Sequence, residues 1–234
     1  MKARPILFVG DIQGCAEELL ALLDHARFRP GKHRLIPVGD TVNRGPDAPA
    51  VLRCLRDMSA EPILGNHERH LLAVAEGRTW PEQRREGSAI AQLQEAGGLE
   101  RAADWIRTWP YVREDGGWIA VHAGLHPVQP PARTDADFLT EVRYCTETGE
   151  RPQGGDGKLF EAPPGFRPWH AFYRGARIVV FGHWARQGLH VRGPLRGLDT
   201  GCVYGGQLTG WWWPDDVIVQ VPSRQPYRRL PSPP

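Results

Sequence analysis

A chain of 234 residues, 41% hydrophobic and 24% charged, has the composition of a soluble globular protein and can bury a full core in one large domain. Its net charge of +2 leaves no global field for holding DNA or an acidic membrane surface, so neither is expected as a partner. The four cysteines, at 15, 54, 145 and 202, are too scattered for a zinc knuckle or a disulfide framework, which predicts reduced thiols and a cytoplasmic setting.

In chain order, "PILFV" reads as a buried strand and "AEELLALLDHA" as a helix with Leu19, Leu22, Leu23 and Ala26 on one face. The apolar run of the first strand is too short for a signal-peptide core, and no stretch of about 18 apolar residues follows it. A second strand, "RLIPV", leads to the helix "APAVLRCLRDM", with Val51, Leu52 and Leu55 inward. "EPIL" predicts a third short strand and "ERHLLAVA" a third helix, with further helical stretches around 88–96 and 99–108. After Pro110 strands dominate: "YVRE", "GWIAV", "RIVVF", "LRGLD", "QLTGWWW" and "DVIVQV". A βαβ-like half followed by a β-rich half predicts an α/β (α+β) fold, with two sheets packed face to face and helices outside. The Pro- and Gly-rich residues 126–168 predict irregular surface loops. Residues 1–222 form the expected catalytic domain, and the Pro- and Arg-rich residues 223–234 a disordered tail.

The first three strands end on "FVGDIQG", "PVGDTVNRG" and "ILGNHE", and two later ones on "WIAVHAG" and "VVFGHW". Ligand sites of α/β sheets form outside the carboxyl ends of strands, which would bring Asp11, Asp40, Asn66, His122 and His183 to one edge. A lone Gly-Asp after a strand is ordinarily a turn or a helix cap, and a lone histidine there is ordinarily structural. Five strand ends in succession, each with a ligand type, point instead to divalent metal. Two carboxylates, an amide oxygen and two imidazoles suit a pair of ions such as Mn²⁺, Co²⁺, Fe²⁺ or Zn²⁺, not a thiolate or an all-oxygen calcium site. The remaining histidines, 25, 33, 70, 126, 170 and 190, read as surface or packing residues. Alternation along "WWW" at 211–213 favours core packing over base stacking.

As a set, "GDIQG", "GDTVNRG", "GNHE", "HAG" and "GHW" resemble the metallophosphoesterases of the phosphoprotein-phosphatase type. "GNHERHLLAV", "VFGHWA", "VRYC" and "LDTGCVYGGQLTG" are closer to the branch of symmetrical diadenosine tetraphosphatases. The resemblance runs from about residue 6 to 213. It implies a four-layer αββα sandwich of two mixed sheets, and symmetrical hydrolysis of diadenosine tetraphosphate to two ADP. It further implies that Asp11 and Gln13 hold one metal, that Asp40 bridges both, and that Asn66, His122 and His183 complete the second. Arg44 would clamp the scissile phosphate, Arg143 would be a second clamp, and His67, oriented by Asn43, would protonate the leaving oxygen. Paired cations about 3.5–4 Å apart would supply a bridging hydroxide at neutral pH.

Three departures from the pattern carry expectations of their own. Gln13 stands where the family most often has histidine, and an amide oxygen is the poorer ligand, so the first metal site should be weaker. Asn43 replaces the aspartate of the protein phosphatases and can accept from His67 without stabilising an imidazolium by charge. Only 21 positions separate His122 from Arg143, which predicts a reduced cap and a more open cleft. Dinucleoside polyphosphates are the expected substrates. A bacterial-type Ser/Thr phosphoprotein phosphatase acting on phosphopeptides, removal of dinucleoside caps from RNA ends, and a sensor without turnover are the alternatives.

Overall fold

The computed structural model describes residues 4–79, 88–154 and 161–230. The elements run β1 (Ile6–Val9), α1 (Ala16–His25), β2 (Arg34–Pro37), α2 (Ala48–Asp57), α3 (Asn66–Ala75), α4 (Ala89–Glu95), α5 (Leu99–Ile106), β3 (Val112–Glu114) and β4 (Trp118–Val121). Then come α6 (Ala136–Glu141), β5 (Tyr144–Cys145), β6 (Arg167–Pro168), β7 (Ile178–Phe181), β8 (His190–Arg192), β9 (Leu195–Gly197), β10 (Gln207–Trp213) and β11 (Val217–Pro222). Two mixed sheets result, ordered β11-β10-β1-β2 and β3-β4-β7-β9-β8, with β5 and β6 as a separate pair. The pairings β1–β2, β4–β7 and β7–β9 are parallel.

Period-two alternation assigns each strand residue to a layer. Ile6 and Phe8 point between the sheets, where they meet Ile36, Trp118, Ala120, Val180 and Trp211. Leu7 and Val9 point the other way, against Leu19 and Leu22 of α1 and the layer built by α1–α5. On the far side of the second sheet Ile119, Val121, Val179 and Phe181 pack on Phe138 and Leu139 of α6 and on Trp169. The layers are therefore helix, sheet, sheet, and a thinner outer layer of one short helix and a 3-10 turn. Trp211 is fully buried, its Nε1 donating to Asp216 Oδ1 at 2.6 Å. Trp213 pairs with Ile6 at the end of β1 away from Asp11, and Trp212 and Trp213 are half-buried against the cores on opposite faces of the sheet, so the run packs as its alternation predicts.

"EPIL" departs from expectation. Residues 61–64 lie along β2, with Glu61 N–H donating to Leu35 and Ile63 N–H to Pro37, yet they form no strand. In a parallel pair the residue donating to Glu61's carbonyl would be Pro37, which has no N–H to give. The stretch 126–168 is also less irregular than its proline content predicts. Asp135 caps α6 by accepting from Phe138 N–H at 2.7 Å, and β5 pairs with β6; residues 155–160 lie outside the described residues. Two turns of helix are too short to show periodicity against such flanks.

The expected disordered tail is, through Leu230, a docked segment. Arg224 N–H and Tyr227 O–H both donate to Glu18 Oε1, at 3.0 and 2.9 Å, and Arg228 N–H reaches Val203. Residues 231–234 lie outside the described residues.

Two packing histidines link the fold to pH. His170 stacks on His190 at 4.6 Å and its Nε2 accepts from the Gln187 amide at 2.8 Å. Burial, with His190 and Arg192 beside it, lowers its pKa to about 4. The unfolded chain therefore binds more protons than the fold between pH ~6.5 and ~4, and stability drops as pH falls through that window. The urea midpoint should fall from about pH 7 to about pH 4.5, and fall less in His170→Gln; parallel curves for the two proteins would count against this account.

Candidate metal centre

The parallel strands of both sheets deliver their carboxyl ends to one edge, and each is followed by a polar side chain. Asp11 stands two residues after β1, Asp40 three after β2, His122 directly after β4 and His183 two after β7, while Asn66 opens α3. The sheets are joined there: His122 Nδ1 lies 2.8 Å from the Val38 carbonyl, and His183 N–H donates to Asp11 Oδ1 at 3.0 Å. Asp40, His122 and His183 each present a ligand atom within 4.8 Å of the others.

The imidazole tautomers define what this cluster can hold. His122 Nδ1 lies 2.8 Å from the Val38 carbonyl and His183 Nε2 lies 3.0 Å from the Glu141 carbonyl. A carbonyl only accepts, so each of these nitrogens carries the proton and the other keeps its lone pair. Those inner nitrogens, His122 Nε2 and His183 Nδ1, both face Asn66 Oδ1, at 3.1 and 3.0 Å, and His122 Nε2 is 3.3 Å from Asp40 Oδ1. Three electron pairs thus converge beside Asp40 Oδ1, which accepts from His67 N–H at 3.0 Å, and these contacts place no proton between them. A cation with mixed N/O ligation satisfies that arrangement, and backbone carbonyls holding the outer imidazole nitrogens are the usual support for such ligands.

The electrostatics show how strongly the cluster draws positive charge. Burial, with Asp199 and Asp40 nearby, raises the Asp11 pKa well above the carboxylate range, and its buried Oδ2 has no partner. Burial also works against the Asp40 carboxylate, but His122, His67 and His183 outweigh it and hold its pKa well below that range. His122 is pushed up to about 10 because Asp40 and Asp11 overcome its desolvation, so without a cation its inner nitrogen holds a proton that a bound metal would displace. Burial and Arg143 hold the His183 pKa low.

Close approach and backbone strain mark the same residues. A Cβ at Gly182 would sit 2.1 Å from Asp11 Oδ1, and one at Gly65 2.3 Å from Asp40 Oδ1, so the carboxylates occupy space that only glycine leaves. Gln13, Asp40, Asn43, Arg44 and His183 all have positive φ, between 46° and 70°. Non-glycine residues persist there only when their surroundings over-determine them, as at ligand clamps.

Glu68 supplies much of that determination and had no role in the sequence reading. Its buried carboxylate accepts from Asp40 N–H, Thr41 N–H, Gly65 N–H and Thr41 Oγ1, all within 2.7–2.9 Å. It is the N3 residue of a helix start, so its spacing from Gly65 is the signal that identifies it. Asp199 and Tyr204 were also unassigned. Burial raises Asp199 to about 6 and Tyr204 to about 12. Arg44 lies over the Tyr204 ring, 5.6 Å from its centroid, and Nη1 donates to the Tyr204 hydroxyl.

Gln13 is buried at the cluster, with Nε2 3.4 Å from Asp40 Oδ2. The contact is a donor's, and turning the terminal amide over would present its oxygen instead. His67 is buried, and burial together with Arg44 lowers its pKa to about 3, against the pull of Asp40. Its partner corrects one expectation. Asn43 does not accept from His67: Nδ2 donates to the His67 carbonyl at 3.3 Å and lies 3.1 Å from His67 Nδ1. Nδ1 is then the acceptor, and the neutral ring carries its proton on Nε2, which is buried without a partner 3.7 Å from Asp40 Oδ2. Arg143 reaches the cluster from the other side, Nη2 donating to the His183 carbonyl at 3.4 Å. His126 accepts from the Val128 and Gln129 amides, and His33 packs on Trp212; neither touches the cluster.

Comparison with known proteins gives the following. The sequence model of the calcineurin-like phosphoesterases matches residues 4–187. A protein of Nitrosospira multiformis named bis(5'-nucleosyl)-tetraphosphatase, symmetrical, is 33% identical over 92% of this chain and 95% of its own. One of the same name from Aeromonas salmonicida is 34% identical over 92% and 96%. A crystal structure provisionally described as a diadenosine tetraphosphatase superposes with a TM-score of 0.79 at 31% identity, covering 95% of each chain.

Proposed function

Because the chain belongs to the calcineurin-like phosphoesterase family, we propose that it is a two-metal hydrolase cleaving diadenosine tetraphosphate and related dinucleoside polyphosphates symmetrically. The observation that carries the reading is the set of inward lone pairs on His122, His183 and Asn66 beside Asp40. Asp11, Gln13 and Asp40 would hold one divalent ion, and Asp40, Asn66, His122 and His183 the other, with Mn²⁺ first and Co²⁺, Fe²⁺ or Zn²⁺ as substitutes. Bound there, the pair would supply a hydroxide nucleophile at neutral pH and offset phosphoryl charge. The catalytic unit is residues 1–222. Among the described residues no helix is long and apolar enough to cross a membrane, and all four cysteines are free thiols; a cytoplasmic setting completes the reading.

The chain's own residues do the rest. Arg44 and Arg143 approach from different sides, one beside Tyr204 and the other beside His183, and bracket the phosphoryl group with permanent charge. His67, fixed as the Nε2–H tautomer by Asn43, donates a hydrogen bond to the departing oxygen. ADP leaves as a stable anion, so a hydrogen-bond donor suffices where an alkoxide would need a proton. Asn43 therefore supports a phosphoric anhydride substrate over a phosphoserine one.

The test is where the bond breaks. Water attacks an inner phosphorus, one new P–O bond forms, the bridging P–O–P bond opposite it breaks, and ADP departs. Hydrolysis in ¹⁸O-labelled water should give two ADP, with a single label on the terminal phosphate of half of them. AMP plus ATP would sink the symmetrical assignment. Run on shorter dinucleoside polyphosphates, dinucleoside-capped RNA and phosphopeptides as well, the assay ranks the competing substrates.

Gln13→His should shift the metal titration to lower concentration, by roughly tenfold or more for one of two sites, since imidazole is the better ligand for these ions. An unchanged binding isotherm would remove residue 13 from the ligand set.

A further inference from the structure

Behind the loop that carries Gln13, and apart from the centre above, two thiols and a carboxylate converge. Cys15 is the N-cap of α1, Glu18 lies in the first turn of the same helix, and Cys202 opens the 3-10 turn Cys202–Tyr204. Each presents a ligand atom within 4.8 Å of the other two. All three are sealed from solvent, with exposures of 0%, 2% and 1%.

The carboxylate is half satisfied. Glu18 Oε1 accepts from Arg224 N–H and Tyr227 O–H, whereas Oε2 is buried with no partner. A buried carboxylate oxygen left unpaired is expensive, and thiols are weak donors to offer it. A carboxylate with a free oxygen facing two thiols is, chemically, most of a zinc site.

We propose that Cys15, Glu18 and Cys202 bind one thiophilic divalent cation of the Zn²⁺ class, at a third metal site separate from the catalytic pair. On binding, each thiol releases its proton to solvent, so two thiolates and one carboxylate face the ion and a water completes four-coordination. Sulfur ligation selects Zn²⁺ or Co²⁺ over Mn²⁺ and Mg²⁺, which prefer oxygen, so the two kinds of site sort different metals. The ion would tie the start of α1, two residues from Gln13, to the turn that follows Asp199 and carries Tyr204. The docked segment 223–230 closes over it through Arg224 and Tyr227.

Co²⁺ added to the reduced, metal-stripped protein is the probe. The catalytic ligands are all nitrogen and oxygen, so thiolate-to-cobalt charge transfer in the near ultraviolet reports this site alone. The band should saturate at one ion per chain and be bleached by Zn²⁺. It should vanish in Cys15→Ser and in Cys202→Ser, and survive in Cys54→Ser/Cys145→Ser. Glu18→Gln, whose amide oxygen can still accept from the tail, should weaken Co²⁺ binding about tenfold or more. Asp40→Asn should lose turnover yet keep the band, which separates this site from the proposed reaction. No band in the parent protein at saturating Co²⁺, or an undiminished band in Cys202→Ser, overturns the proposal.

Discussion

Asp40→Asn is expected to lower kcat/KM by about 10³-fold or more, the scale on which losing a preorganised charge in a buried site is felt. The substitution isolates the charge. An asparagine keeps Oδ1 to accept from His67 N–H, a bond of 3.0 Å, and tolerates the φ of 48° at this position better than any other replacement except glycine. Its volume suits a pocket in which Asp40 is 2% exposed. What disappears is the negative charge that His122, His67 and His183 surround, and with it the proposed bridge between two ions. Circular dichroism should be unchanged while bound metal and turnover fall together. Full activity of the EDTA-stripped parent enzyme in metal-free buffer would refute the two-metal reading outright.

Arg44→Ala should cost about 10³-fold in kcat/KM, comparable to removing an arginine that stabilises charge on a transferring phosphoryl group. Arg44 is held ready at φ 64° with its guanidinium over the Tyr204 ring, so it pays little ordering entropy when substrate arrives. Arg44→Lys should recover only a small part of the loss, because a point charge cannot reproduce paired donors or the stacked plane. Tyr204→Phe keeps the ring and removes the acceptor; its cost should be roughly a hundredfold at most, the worth of one hydrogen bond to a charged group. A tyrosine effect as large as the arginine's would mean that the hydroxyl itself touches substrate.

The cluster was legible because its residues stand next to breaks in hydrophobic pattern. Asp11, Asp40, Asn66, His122 and His183 each follow an apolar run and a turn, and the order of those breaks along the chain resembles a known family closely. The helices α1 and α2 and the strands β1, β10 and β11 were legible for the same reason: period and punctuation are local properties. Two shorter elements were not, since six residues of helix in α6 and three of strand in β8 complete too few repeats to rise above their flanks.

What the sequence by itself determined is therefore the inventory: two sheets, an ordered series of polar strand-end residues, and two arginines and a histidine beside them. Tertiary structure alone decided how those groups face one another. That Asn43 donates to His67 instead of accepting depends on the His67 carbonyl lying within 3.3 Å of the same amide. That Glu68 holds the Asp40 loop depends on three amides from two segments reaching one carboxylate. That Cys15 meets Cys202, and Arg44 meets Tyr204, depends on contacts spanning most of the chain. Residue types and local periods are written along one dimension, whereas hydrogen-bond direction, tautomer and the pairing of distant side chains are set by where packing of the core places backbone that is far apart in sequence.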